Sequence, residues 1–177
     1  MHNFYVWMEI FSKKEEDKTA ETFKKFGFKS SMPQEKLLTY IMRYINLKPD
    51  ASILDYGAGK YPMITNYLSE LGYNISAHDF KKNTTDDHDN NALRKEYDLV
   101  FAANVLNVQK DSRMLLKTLK EMKKLMKAGG SLLASIPEQP DIHKIDQEEL
   151  IDLIKSIYPN AKIDKYYGQG LLIFVNY

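Results

Sequence analysis

The chain has 177 residues, of which 44% are hydrophobic and 28% charged, with a net charge of +1. This composition predicts one soluble globular domain with a buried core, and the near-zero charge gives no general attraction to nucleic acid or membrane. The absence of cysteine excludes disulfides, thiolate metal sites and cysteine nucleophiles. No run of about 18 apolar residues is present, so we predict no membrane span and expect a cytoplasmic location.

The N-terminal segment is unusually aromatic, and residues 3–26 are predicted to form one or two helices lying across the domain. Its apolar side chains include Phe4, Tyr5, Trp7, Met8 and Phe11. They pack on the core, close a substrate pocket as a lid, or form a homodimer contact. We treat residues 1–177 as a single domain, with 1–32 as this N-terminal segment and 33–177 as the core.

A helix is predicted to begin near Ser31, because Ser31, Pro33 and Gln34 fit a capping box with proline in the first turn. An apolar stripe follows at helical spacing: Leu37, Leu38, Ile41, Met42 and Ile45. Lys29, Ser30 and Ser31 precede this helix as ligand candidates, or simply as capping and loop residues.

The most informative stretch is residues 53–60, where a buried strand runs into Asp55, Gly57 and Gly59. A helical apolar pattern begins at about Pro62. Glycines let the backbone pass close to a ligand, and a helix N-terminus offers free N–H groups to an anion. Strand, glycine-rich turn and helix together indicate the start of a nucleotide-binding βαβ unit.

A second strand is predicted over residues 73–78, with Asp79 at its C-terminal end. An acid about twenty residues after the glycines is where ribose hydroxyls are held. The dinucleotide motif G-x-G-x-x-G fails because Pro62 occupies the third glycine position. The D-x-G-x-G pattern instead suits a ligand with an ammonium group and no pyrophosphate. The alternative is a tight turn that binds nothing.

Residues 80–96 are too few for the helix, strand and helix that a full doubly wound sheet would place there. The segment is also polar, so we predict a loop with at most a short strand at this edge of the sheet. One of Asp86, Asp87 and Asp89 faces a ligand amino group, or all three are simply solvated. His88 among these acids is a weak metal indicator, and no metal is predicted.

Residues Tyr97–Ala103 form an apolar run typical of a central parallel strand. Asn104 and Asn107 follow at its C-terminal end, where doubly wound sheets bind ligands. They contact a ligand there, or they only cap the loop and the next helix.

A long amphipathic helix is predicted over Asp111–Lys127, with lysines on its outer face. Those lysines form a solvated surface or a patch for an acidic partner or RNA. A strand is predicted over Ser131–Ile136. The loop after it carries Glu138 and His143, which are candidates to reach a substrate.

The chain ends with a predicted helix, Gln147–Ile157, and two β-rich runs, Ala161–Tyr167 and Leu171–Tyr177. Gly168-Gln169-Gly170 joins the two runs, which predicts a hairpin.

Residues from about 35 to 177 resemble the class I S-adenosylmethionine (SAM) methyltransferases. Asp55-x-Gly57-x-Gly59 resembles motif I of that family, and Asp79 takes the place of its second motif. The family's usual third glycine is replaced by Tyr61. The segment around Asn104 is similar to the fourth motif, and Lys127-Ala128-Gly129-Gly130 is similar to its Leu-Lys-Pro-Gly-Gly element.

The resemblance implies an α/β, Rossmann-like doubly wound sheet of mainly parallel strands. It would end in an antiparallel hairpin, with a shortened third-strand edge and N-terminal helices. The short third-strand region is most similar to small methyltransferases of phages and bacterial mobile elements. Asp-Pro-Pro-Tyr and Asn-Pro-Pro-Tyr are absent, which disfavours amino-methylating DNA enzymes, and the lack of cysteine disfavours 5-methylcytosine enzymes.

The implied function is methyl transfer from SAM, with S-adenosylhomocysteine (SAH) as product, to a small molecule, RNA or protein. Asp55 would stand near the ammonium group, Asp79 would accept hydrogen bonds from the ribose, and Phe80 and Ala103 would flank the adenine or sulfonium. The full set of implied cofactor-binding residues is Asp55, Tyr56, Gly57, Ala58, Gly59, Asp79, Phe80, Ala103 and Asn104.

No catalytic residue is assigned from the sequence. Asn104, Glu138 and His143 are the candidates for a general base, and an acceptor that is already nucleophilic needs none. The alternative function is a non-catalytic module on the same fold that binds SAM or a partner.

Overall fold

The computed structural model describes residues 47–60, 62–81, 83–136, 147–166 and 170–177. Several sequence predictions lie outside these ranges: the N-terminal segment 1–32, the helix starting near Ser31, Tyr61, Glu138, His143 and the turn at 167–169.

The described chain contains six strands and three α-helices. The strands are β1 (Ser52–Tyr56), β2 (Asn74–His78), β3 (Tyr97–Ala103), β4 (Met126–Ile136), β5 (Lys162–Tyr166) and β6 (Gly170–Asn176). The helices are α1 (Met63–Glu70), α2 (Ser112–Lys124) and α3 (Gln147–Ile157). None of these helices is long and apolar enough to cross a membrane.

The strands form one sheet in the order β2-β1-β3-β4-β6-β5. β1 pairs in parallel with β2 and β3, and β3 pairs in parallel with β4. β6 is antiparallel to both β4 and β5, so the last strand is inserted between its neighbours. The predicted parallel sheet with a closing antiparallel hairpin is confirmed.

The predicted reduction of one sheet edge is also confirmed, because β2 is an edge strand. Between β2 and β3 the described residues form no strand, and their only helical turn is the 3₁₀ turn Ala92–Arg94. A connection this short leaves no room for a further strand and its two flanking helices. The loop after β2 reaches the glycine turn, where His88 Nε2 lies 2.9 Å from the Gly59 carbonyl.

Helices cover both faces of the sheet, as strand alternation requires. Leu54, Val100 and Leu132 occupy matched positions of β1, β3 and β4 and pack with α2 and α3 on one face. The neighbouring positions, including Ile53 and Leu133, pack with α1 on the other face. Successive side chains of a strand point to opposite faces, so near-continuous apolar runs are needed to fill both cores.

The predicted C-terminal end of α2 is wrong by three residues. Asp111 caps the helix, its Oδ1 accepting from the Met114 N–H at 2.9 Å, but the helix ends at Lys124 rather than Lys127. The Leu125 carbonyl accepts from the Tyr97 N–H at 2.7 Å, and Met126 already belongs to β4. Residues 126 and 127, which helical periodicity alone assigns to α2, therefore belong to β4, which pairs with β3.

Candidate functional site

The glycine turn after β1 is fixed to the end of β2 through its backbone. The N–H groups of Gly57 and Ala58 both donate to the His78 carbonyl, at 2.8 and 3.0 Å. Gly57 and Gly59 have φ angles of 80° and 75°, a region that strongly favours glycine. The sequence therefore places glycine where the chain leaves the strand and turns over the sheet edge.

The loops after β1 and β3 touch each other at Gly57. A Cβ on Gly57 would overlap the Cγ2 atom of Val105, which follows β3 by two residues. β1 lies between β2 and β3. The chain passes from β1 to β2 on one side and then crosses back to β3 on the other side, so the order of the strands reverses at β1. The two loops meet at the switch point, where doubly wound sheets bind their ligands.

Asp79 holds the glycine turn from the side of β2. Its Oδ2 accepts from the Gly59 N–H at 2.6 Å, and its Oδ1 accepts from the Phe80 N–H at 2.7 Å and from Asn83 Nδ2 at 3.2 Å. Burial raises the pKa of the Asp79 carboxyl, and these hydrogen bonds act in the opposite direction. A carboxylate is thereby held in a fixed orientation at the end of β2.

Asp55 lies under the same turn and is buried. Its Oδ2 accepts from the Thr65 Oγ1 hydroxyl of α1 at 2.9 Å. The pKa of Asp55 is raised to about 7: burial raises it most, the Thr65 hydrogen bond lowers it, and the charge of Asp79 raises it. Asp55 and Asp79 are therefore brought together around one turn, as the sequence pattern predicts.

Asp55 is expected to make the folded protein less stable as the pH rises from about 4 to about 7. Its folded pKa is raised, so the folded state binds the proton more tightly than the unfolded state and loses that advantage over this range. Asp55→Asn, which can still accept from Thr65, should remove roughly 3 kcal/mol of this fall. Urea unfolding of both proteins at pH 5 and pH 8 measures the difference.

The difference between the two pH profiles isolates Asp55 from its titrating neighbours. Asp79 also has a raised pKa and contributes in the same direction, whereas burial lowers the pKa of His78, which contributes in the opposite direction. Both groups are present in both proteins. Parallel profiles for wild type and Asp55→Asn would show that Asp55 is not a buried, proton-binding group.

His88 is a member of the site that the sequence did not indicate. It is buried, its Nδ1 lies 3.1 Å from the Thr85 N–H, and its Nε2 lies 2.9 Å from the Gly59 carbonyl. An Nδ1 that accepts from a backbone N–H places the proton on Nε2, so His88 donates to Gly59. Gly59 is thus held at its N–H by Asp79 and at its carbonyl by His88.

His88 therefore connects the shortened loop to the glycine turn. Among the described ranges, no group of three or more histidine and acidic side chains is arranged to hold a metal ion. Asp86 and Asp87 are exposed, and Asp89 accepts from Lys95 Nζ at 2.6 Å. These acids stabilise the loop or face solvent.

Tyr56, Phe80, Ala103 and Asn104 are further predicted cofactor residues, and they differ in burial and in hydrogen-bond partners. The Tyr56 ring packs toward α2, and its hydroxyl donates to Glu121 Oε1 at 2.5 Å. Phe80 and Ala103 are half-buried at the ends of β2 and β3. Asn104 has a φ of 58° and donates its N–H to the Ser135 carbonyl at 3.1 Å.

Comparison with protein families gives one match that spans most of the chain. A family model described as "Methyltransferase domain" matches residues 21–169. The chain belongs to this methyltransferase domain family. No curated protein sequence matches it.

Solved structures of other methyltransferases share the fold of this domain. A SAM-dependent methyltransferase from Clostridium acetobutylicum has a TM-score of 0.63 at 13% identity, over 90% of this chain and 98% of that one. A TehB-like SAM-dependent methyltransferase from Corynebacterium glutamicum has a TM-score of 0.59 at 14% identity, over 93% and 98%.

A third structure is a complex with S-adenosyl-L-methionine. It is phosphoethanolamine N-methyltransferase 2 from Haemonchus contortus, with a TM-score of 0.55 at 18% identity, over 78% of this chain and 40% of that one. At these identities the likeness concerns the fold. The prediction of a Rossmann-like, SAM-dependent methyltransferase is confirmed at the level of fold and family.

Proposed function

We propose that this methyltransferase domain binds SAM across the glycine turn, at the carboxyl ends of β1, β2 and β3, and transfers its methyl group to an acceptor. The observation that supports this site best is the convergence of Asp55 and Asp79 on one turn. Asp79 accepts from Gly59 at 2.6 Å, and the charges of the two acids are close enough to raise the pKa of Asp55.

Asp79 suits the ribose of the cofactor. A carboxylate can accept about four hydrogen bonds. The described residues donate three to Asp79: two to Oδ1 and one to Oδ2. Oδ2 therefore retains capacity for a ribose hydroxyl, and its position is already set by the bond from Gly59, while Phe80 and Asn83 hold Oδ1. A preorganised acceptor of this kind loses little freedom when the ligand binds.

Asp55 suits the ammonium group of the methionine part. Buried with a pKa of about 7, it is readily protonated without the ligand, and a nearby cation favours its ionised form. We infer that cofactor binding promotes ionisation of Asp55. The resulting pair would be shielded from water, because Asp55 lies under the turn.

The start of α1 and the ends of β2 and β3 supply the remaining contacts. Pro62 precedes α1 and makes no side-chain cap, so the first N–H groups of this helix can receive the cofactor carboxylate. Phe80 and Ala103 would border the adenine or sulfonium. The Gly57–Gly59 backbone, held to His78 and His88, would lie along the methionine part.

In methyl transfer from SAM, the main tasks of the protein are to bind the cofactor and to orient the acceptor. SAM supplies an electrophilic methyl group on its sulfonium. The residues of this chain hold the cofactor, exclude water and fix the direction from which an acceptor approaches. Asn104, Glu138 and His143 stay candidates for a general base, and an acceptor that is already nucleophilic needs none.

The proposal extends to the subfamily and to the class of acceptor. The shortened connection after β2 supports a relationship to small methyltransferases of phages and bacterial mobile elements. The acceptor would be a small molecule, RNA or protein. The aromatic N-terminal segment would close over it as a lid or form a homodimer contact.

Methyl transfer from [methyl-³H]SAM into a cell lysate, separated by size, tests the proposal. We expect label in one size class with wild type and a loss of about 100-fold or more with Asp79→Ala, because the donor is no longer held. Saturable SAH binding without transfer into any fraction would instead favour a non-catalytic SAM-binding module. Failure to bind SAH would contradict both functions.

A further inference from the structure

Three polar side chains beside the proposed cofactor site carry buried atoms that have no hydrogen-bond partner among the residues that the structure describes. These atoms are Asn104 Oδ1, both polar atoms of the Asn107 amide, and Ser135 Oγ. Asn107 and Ser135 are themselves more than nine-tenths buried. Buried polar groups in proteins are nearly always bonded, so several together require an explanation. We call Asn104, Asn107 and Ser135 the amide cluster.

The amide cluster lies where the acceptor has to approach. Asn104 directly follows β3 and donates its N–H to the carbonyl of Ser135, at the end of β4. Asn107 lies in the 3₁₀ turn Leu106–Val108, just beyond Val105, which contacts the glycine turn at Gly57. The cluster therefore borders the cofactor site on the side away from Asp79.

The backbone at Asn104 adopts a left-handed conformation, which asparagine tolerates better than most residues do. Its φ of 58° is the one positive value at a non-glycine residue in the described chain. Residues in this region usually occur where the surrounding structure imposes them, often at functional sites. This turn brings the backbone of Asn104 to the carbonyl of Ser135, and Asn107 follows three residues further along the chain.

We propose that the amide cluster is the acceptor-orienting subsite and that it takes an uncharged polar group presenting both a hydrogen-bond donor and an oxygen or nitrogen acceptor. This inference rests on the proposed function. The orphaned atoms include one NH₂ donor, two amide oxygens and one hydroxyl. These four groups carry no net charge, so they can form hydrogen bonds with a lactam, a phenol or a neutral heterocycle. An ionic group bound there would have no counter-charge.

A pair of isosteric substitutions tests whether the cluster is unpartnered in the protein itself. Asn107→Leu removes atoms that have no bond, so we expect its Tm to stay level or rise by about 2–4 °C. The matched control is Tyr158→Phe, which removes a buried hydroxyl that donates to the Leu119 carbonyl at 2.8 Å. That variant should lose about 2–4 °C. A fall in Tm for Asn107→Leu equal to that of the control would overturn the proposal.

Binding of a small neutral ring to the SAH-saturated protein tests the ligand class. The probe is 2-pyridone, which carries adjacent N–H and C=O groups, and the charged comparisons are benzoate and benzylammonium. By ligand-observed NMR we expect roughly millimolar binding of 2-pyridone alone. Asn107→Leu should weaken it at least about fivefold, and Tyr158→Phe should leave it unchanged.

The outcomes separate this inference from the proposed function. If SAH binds but 2-pyridone does not, or if a charged ring binds better, the assignment of a neutral subsite fails and the cofactor site stands. If SAH does not bind, the proposed function fails. The Tm comparison then still decides whether the amide cluster is an unpartnered polar site.

Discussion

Replacing Asp79 with alanine is expected to weaken the binding of SAH by about 100-fold or more. A hydrogen bond to a charged group contributes about 1.5–3 kcal/mol, and the proposed ribose contact would be lost. The Gly59 N–H, which now donates to Asp79 Oδ2 at 2.6 Å, would also lose its partner. Isothermal titration calorimetry of wild type and Asp79→Ala at the same pH measures the effect.

Asp98→Ala provides the matched control for Asp79→Ala. Asp98 also accepts three hydrogen bonds, from the Ser52 N–H, the Ser52 hydroxyl and Lys127 Nζ, each at 2.8 Å. It lies at the start of β3, at the opposite end of the strands from the glycine turn. We expect Asp98→Ala to lower stability and to leave SAH affinity within about twofold. Equal affinities for Asp79→Ala and wild type would refute the ribose role.

Gly57→Ala is expected to be the most damaging single methyl addition in the site. The φ of 80° is unfavourable for alanine by about 1–2 kcal/mol, and the added Cβ would overlap Val105 Cγ2. Overpacking of this kind typically costs a further 1–3 kcal/mol, that is about 2–5 kcal/mol in total. Urea unfolding measures the loss, and calorimetry should detect no SAH binding.

Gly59→Ala separates the cost of a positive φ angle from the cost of steric overlap with Val105. Gly59 has a similar φ of 75°, but an added Cβ meets no atom within 4 Å. Its cost in stability should therefore be only about 1–2 kcal/mol. In a double-mutant cycle, Val105→Ala should recover part of the loss caused by Gly57→Ala and none of the loss caused by Gly59→Ala. Equal losses for the two glycine variants would show that the loops after β1 and β3 do not touch.

The fold was largely predictable because its main signals are local. The apolar run Tyr97–Ala103 coincides with β3, and the helical pattern Gln147–Ile157 coincides with α3. The reduced sheet edge followed from counting the residues after Asp79, since chain length limits what a connection can contain. The pairing of Asp55 with Asp79 followed from the strand-turn-helix pattern, because parallel neighbours bring their carboxyl ends together.

The parts that the sequence did not predict depend on contacts between distant residues. His88 lies in a polar loop, and only the folded chain brings its Nε2 to Gly59. The end of α2 is decided by the bond between the Tyr97 N–H and the Leu125 carbonyl. The Tyr56 ring turns toward Glu121. Neither periodicity nor spacing along the chain carries information on such partners.

Titration of the ¹⁵N-labelled protein with SAH, followed by amide NMR, tests the central claim most directly. We predict saturable shifts of the amides of Gly57, Ala58, Gly59 and Phe80, whose backbone groups form the turn and hold Asp79. The amide of Ser52, at the opposite end of β1, should not move. The absence of saturable shifts, or shifts confined to the Ser52 end of the sheet, would contradict a cofactor site at the glycine turn.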